Sequence, residues 1–226
     1  MNKNTSDTPA SPPRTPDELR RIIAESLDAL DRARAVDAAL DAVARGDIDV
    51  ADLYTLVLGP YLTEVGSQWQ HGQERVWQEH FASHAIRTIV EALYPEVARK
   101  AAEAPSRHET VLLVCPPNEE HELGLRMLSD RFEMAGYRSV FLGADTPIAE
   151  IVEAAGAVHA TIVALSISTV FERVELRCFV DTLHERLAGT RIIVGGPALK
   201  HDPGGWAAEE LLDPSELGLP GASATR

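Results

Sequence analysis

The chain has 226 residues, 45% of them apolar, and a formal net charge of −14 from 21 Lys+Arg against 35 Asp+Glu. That length holds one large domain or two small ones, with enough apolar content for a core. The acidity, with no basic run, argues against a nucleic-acid surface, which needs basic clusters to displace phosphate counterions.

The other exclusions are local. Cys115 and Cys178 match no metal or redox spacing and read as buried, reduced thiols. No segment approaches the ~18 continuous apolar residues of a membrane span. The polar, Pro/Ser/Thr-rich residues 1–14 lack the apolar stretch of a signal peptide. A cytoplasmic protein is therefore expected, with 1–14 a disordered tail.

From Thr15 onward the pattern is helical. Thr15 can N-cap, Pro16 suits a first turn and Glu18 completes a capping box. Leu19, Ile22, Ile23, Leu27 and Leu30 follow at helical spacing, and Val36, Leu40 and Val43 continue it to Gly46, as one long helix or two short ones. Asp49 caps the next helix, which runs through Leu53, Val57, Tyr61 and Val65 to Trp69, bent at Pro60. A third runs from about Glu74 to Lys100, with Pro95 disturbing its last turns. Residues 15–103 thus read as a helical bundle.

After a polar connection the pattern alternates. Strands are expected at 111–115, 139–142, 161–165 and 191–194, separated by helices at 123–135, 147–155 and 172–187. Continuous apolar strands between helices indicate a parallel sheet covered on both faces, here over residues 108–213. Trp206 to Leu212 admits another helix, no fifth strand stands out, and 214–226 reads as a flexible tail.

Three loops leave strand ends on one edge of this sheet, the edge where open parallel sheets bind ligands. The first carries Glu119, His121 and Gly124, spaced Glu-x-His-x-x-Gly. An imidazole there can coordinate a metal, and a carboxylate two residues earlier can orient it. Gly124 lets something bulky approach the backbone. The third strand is followed by Ser166, Ser168 and Thr169, and the fourth by Gly195 and Gly196. Together they make a slot for something long and narrow.

This set of loops, in a sheet domain behind a helical bundle, resembles the cobalamin-binding module. The resemblance implies a flavodoxin-like (Rossmann-like) doubly wound α/β domain. It also implies His121 as lower cobalt ligand in place of the cofactor's own benzimidazole, and Glu119 as the group orienting it. Gly124, Ser166, Ser168, Thr169, Gly195 and Gly196 would lie along the displaced nucleotide tail. Many relatives carry Asp where this chain has Glu119.

In the bundle, Trp69 is followed after nine residues by Glu79-His80. That pattern is similar to the cap of the light-sensing, adenosylcobalamin-dependent regulators of bacterial carotenoid genes. It implies that bundle residues 15–103 cover the upper face of adenosylcobalamin, with an aromatic plane and polar groups against the adenosyl moiety. Two features depart from those regulators. The chain shows no DNA-reading helix-turn-helix, and Gln70 stands where a light-formed second axial His directly follows the Trp. His71 is the candidate for that role, with His80, His84 or no protein ligand as alternatives.

The expected function is therefore an adenosylcobalamin photoreceptor, not an enzyme, whose bundle shifts when light removes the upper ligand. Its output would pass through a protein partner such as a transcription regulator, or through self-assembly, without direct DNA or membrane binding. The competing reading is a corrinoid carrier of a methyltransferase system.

Overall fold

The computed structural model describes residues 14–70, 75–168, 173–200 and 205–221, the side chains at 69–70, 173–175 and 200 excepted. Helix α1 (Pro16–Asp28) opens with the expected capping box: Glu18 N donates to Thr15 Oγ1 at 3.3 Å and Thr15 N donates to Glu18 Oε2 at 2.9 Å. It ends at Leu30, whose φ of 58° no helix can accept. Asp31 then caps α2 (Arg32–Ala44) by accepting from Arg34 N at 3.0 Å. The first helical stretch is thus two helices. The innermost face of α2 is Ala35, Ala38, Ala39 and Ala42, with Val36, Leu40 and Val43 only partly buried around it. The small side chains let the neighbouring helices approach closely.

Asp49 caps α3 (Val50–Asp52), as its place in the sequence predicts. The helix widens into a π turn at Leu53–Leu58 and continues as α4 (Gly59–Gln70). Pro60, which has no N–H to donate, lies just past the widened turn. The expected third helix breaks at Leu93 into α5 (Val76–Ala92) and α6 (Tyr94–Glu103). Pro95 occupies the first turn of α6, where its missing donor costs nothing.

The sheet follows: β1 (Thr110–Val114), α7 (Leu123–Met134), β2 (Arg138–Gly143), α8 (Ile148–Val158), β3 (Ile162–Ser166), α9 (Arg173–Arg186), β4 (Arg191–Gly195) and the short α10 (Pro197–Lys200). The strands pair in parallel in the order β2-β1-β3-β4. Alternate strand residues face opposite ways. Leu112, Val114, Val163 and Leu165 meet α8 and α9 on one face, and Val111, Leu113, Ile162 and Ala164 meet α7 on the other. The sheet is therefore doubly wound. Its order reverses between β1 and β3, so the loops after these strands flank the crevice. A single parallel bridge, Val194 to Leu211, stands where a fifth strand would lie. Residues 206–212 hold a 3-10 turn (Ala208–Glu210) rather than an α-helix.

Helix α7 joins the two halves. Leu125 and Phe132 enter the sheet core, while Met127 and Met134 enter the core of the bundle. A buried polar cluster ties the same contact. Tyr54, in the π turn, donates to Asp130 Oδ2 at 2.9 Å, and Arg126 pairs with the other oxygen. Burial pushes Asp130 above the ordinary carboxylate range, against the pull of Arg126. The guanidinium of Arg126 also lies over the Tyr94 and Phe141 rings.

The end of the chain departs from a flexible tail. Leu217 and Leu219 are buried against the sheet core. Tyr137 donates to Leu217 O at 3.1 Å and Arg131 Nε to Pro220 O at 2.7 Å. Gly221 packs on Ala51 of the bundle, so residues 214–221 strap the two halves together. Residues 1–13 and 222–226 lie outside the described residues. No helix among the described residues is long and apolar enough to cross a membrane. Cys115 is buried, but Cys178 is exposed on α9, against the sequence reading.

Candidate functional site

The site is built on the end of β1. The chain leaves the strand at Cys115 and turns at Asn118, with φ at 67°. Glu119 follows, with only 2% of its surface exposed. A buried carboxylate must be fully hydrogen-bonded, and this one is. Oε1 accepts from His121 N at 2.8 Å and from His121 Nδ1 at 2.6 Å, and Oε2 accepts from Ser168 N at 2.6 Å. Burial raises the Glu119 pKa, yet these hydrogen bonds outweigh it and hold the carboxyl below its ordinary range.

Glu119 thus locks the first loop to the third and fixes the imidazole at Nδ1. The His121 side chain itself is 60% exposed. With Nδ1–H donated to Glu119, Nε2 carries a bare lone pair, and among the described residues nothing hydrogen-bonds to it. Its basicity is raised by the Glu119 hydrogen bond, against burial, with the charges of Glu119, Glu79 and Glu120 adding to the rise. A lone, oriented, electron-rich nitrogen at the mouth of a crevice is the donor an axial metal site requires.

The loop after β2 also belongs to this site, and the sequence reading missed it. Asn118 N donates to Asp145 Oδ1 at 2.9 Å, Asp145 N to Glu119 O at 3.0 Å and Thr146 N to Cys115 O at 3.1 Å. Glu122, inside the His motif but without an expected role, accepts from Ala144 N at 2.9 Å and from Arg87 Nη2 on α5 at 2.9 Å. A Cβ on Gly143 would collide with its carboxylate. The signal available was the Gly143-Ala-Asp-Thr-Pro147 run at a strand end.

The glycines divide by role. Gly196 has φ at 110°, and a Cβ there would collide with the Ile167 carbonyl, so the third and fourth loops can meet only at a glycine. The missing side chain of Gly195 makes room for Leu212, 3.1 Å from where a Cβ would stand. Nothing stands within 4 Å of a Cβ on Gly124, so the side of α7 next to His121 is open. Ser166 is half-buried at the end of β3, paired with Gly195. Thr169 lies outside the described residues.

On the bundle side, Glu79 lies in the first turn of α5 and His80 directly after it. Glu79 accepts from Ser83 Oγ at 2.6 Å and stands 3.6 Å from His80 Nε2. Arg87, further along α5, donates to Glu122 beside His121, so α5 runs against the first loop of the sheet domain. Trp69 closes α4, one residue before Gln70; its side chain and all of His71 lie outside the described residues. Trp77 is 51% exposed beside the half-exposed Val76. Trp206 packs under the Arg177 guanidinium at 4.7 Å.

Two models of the B12 binding domain match the chain, one over residues 109–213 and the other over residues 19–94. The chain is 35% identical over 148 residues to the HTH-type transcriptional repressor CarH of Myxococcus xanthus, covering 64% of this chain and 46% of the repressor. It therefore spans about half the length of that relative. It is 30% identical over 214 residues to trimethylamine corrinoid protein 1 of Methanosarcina acetivorans, covering 90% of this chain and 92% of the other. In fold it is similar to the monomethylamine corrinoid protein of Methanosarcina barkeri, with a TM-score of 0.67 at 19% identity over 92% of both chains.

Proposed function

The chain belongs to the cobalamin-binding family, and on that premise we propose that it is an adenosylcobalamin-dependent light sensor acting through protein contacts in the cytoplasm. The residues fit the cofactor. His121 offers a single Nε2 lone pair on an imidazole held by a buried carboxylate, beside the open flank of Gly124. A metal already held in a macrocycle needs one such donor. Bound adenosylcobalamin would supply a cobalt–carbon bond that visible light breaks. The chain's own part is to hold and to respond. His121 holds the lower face, with Glu119 fixing its orientation. Trp69, Glu79 and His80 would hold the adenosyl group, and its loss would remove those contacts. Helix α5 would then be released to shift against the sheet domain, a response driven by contacts that differ between two states.

The observation that supports this reading is Arg87 of α5 paired with Glu122 beside His121 across the bundle–sheet junction, on the helix that carries Glu79 and His80. The net charge of −14 favours a protein partner, such as a transcription regulator, or self-assembly over DNA. On this reading the protein turns over no substrate. A second reading, a corrinoid carrier for methyl transfer, is favoured by the near full-length match to trimethylamine corrinoid protein 1.

Trp69→Ala separates the two. An adenosyl cap predicts hydroxocobalamin affinity unchanged and adenosylcobalamin affinity weakened about tenfold, the loss of roughly 1.4 kcal/mol of aromatic contact. Equilibrium dialysis in the dark measures both. Equal weakening of the two would make Trp69 a packing residue and remove the cap.

A further inference from the structure

Two of the polar ties between the bundle and the sheet domain differ in strength. The first is the Tyr54–Asp130–Arg126 cluster, where Asp130 is fully buried. Arg126 and Asp130 share α7, so separating the halves would break the hydrogen bond from Tyr54 to a fully buried carboxylate, a charge-assisted bond of the stronger kind. The second joins Arg87 of α5 to Glu122 beside His121, with side chains 38% and 21% exposed. Half-exposed pairs of this kind are weak and readily exchanged for water. A turn of the bundle on the sheet domain therefore opens the second tie before the first.

The weak tie is placed to transmit such a turn. Arg87 lies eight residues from Glu79 on α5, roughly 12 Å along the helix axis. Glu122 follows His121 directly in the chain, and its other oxygen accepts from Ala144 N in the loop that braces Asn118 and Glu119. One carboxylate thus touches the helix that carries the cap and the loops that hold His121.

We propose that Arg87 and Glu122 form a latch coupling the cap helix to the His121 loop, with the Tyr54–Asp130–Arg126 cluster as the pivot about which the bundle turns. Closed, the latch sets the spacing between Glu79 and His121. Open, it frees α5 to move away while the far end of the interface stays fixed. The link to upper-ligand recognition rests on the cap reading given above; the mechanical coupling does not.

Hydrogen exchange on the apo protein tests the coupling. Glu122→Gln keeps the acceptor for Ala144 N and loses only the ion pair, Arg87→Met removes the other partner, and Arg87→Lys retains the charge. Both single losses are expected to speed exchange across residues 76–92 by about threefold, the scale of a half-exposed pair. The double variant should be no faster than either single variant, Arg87→Lys should behave like wild type, and α1 and α2 should not change. Unchanged exchange in both single variants, or effects that add in the double variant, would overturn the latch. In dark dialysis, the latch variants should weaken adenosylcobalamin about threefold relative to hydroxocobalamin. If the wild-type protein does not distinguish the two cobalamins, the cap reading fails, while the exchange result still decides the latch.

Discussion

His121→Ala is expected to lower cobalamin affinity by at least tenfold and to abolish protein nitrogen coordination. The reasoning is local. Glu119 spends one oxygen on the two N–H groups of His121 and the other on Ser168 N, which leaves Nε2 as the ring nitrogen without a partner among the described residues. Loss of a group that merely supports a metal ligand costs about 10–100-fold, and loss of the ligand itself should cost no less. The spectroscopic readout is the nitrogen splitting in the paramagnetic resonance of bound cob(II)alamin. Labelling histidine with nitrogen-15 should change that splitting in the wild-type protein, and the variant should show no label-dependent splitting. A label-independent spectrum in both proteins would mean that the cofactor keeps its own base and His121 is an ordinary loop residue.

The second large effect is on stability. Asp130→Ala is expected to destabilise the apo protein by about 3–5 kcal/mol, because it leaves Arg126 without its buried counter-charge and Tyr54 without its acceptor. Denaturant unfolding measures this directly. Replacing the pair together, Arg126→Met with Asp130→Leu, should recover most of the loss, since apolar packing substitutes well for a buried ion pair. A loss below about 1 kcal/mol for Asp130→Ala would mean that water enters the cluster freely, as at surface pairs, and would remove the pivot.

The parts of this architecture legible in sequence were those whose signal is local. The four strands announce themselves as continuous apolar runs, and β1 to β4 begin and end within a residue or so of the expected positions. The Glu119–His121 contact was legible because two residues of separation let the carboxylate fold back on its own imidazole. What escaped was non-local or small. Asp145 acts on Asn118 from 27 residues away, and Glu122 on Arg87 from 35. An acid beside a His gives no hint of a partner in another domain. The alanine face of α2 escaped because alanine is too weakly apolar to set a period beside Val36, Leu40 and Val43. Leu217 and Leu219 read as a frayed end because two leucines among Gly, Pro and Ser form no pattern, although the sheet core and Arg131 hold them. Gly195 and Gly196 were recognised as a pair, yet their reasons differ: one yields to a leucine side chain, and the other takes a backbone conformation that side chains oppose.

The measurement that bears most directly on the proposed function uses the wild-type chain. The protein is loaded with adenosylcobalamin or methylcobalamin in the dark, desalted, scanned before and after green light, and sized on a column in each state. A cobalamin light sensor should retain adenosylcobalamin, change its spectrum on illumination and shift its elution volume as the bundle contacts alter. Preferential retention of methylcobalamin, with no change in size under light, would contradict the sensor and leave the methyl carrier.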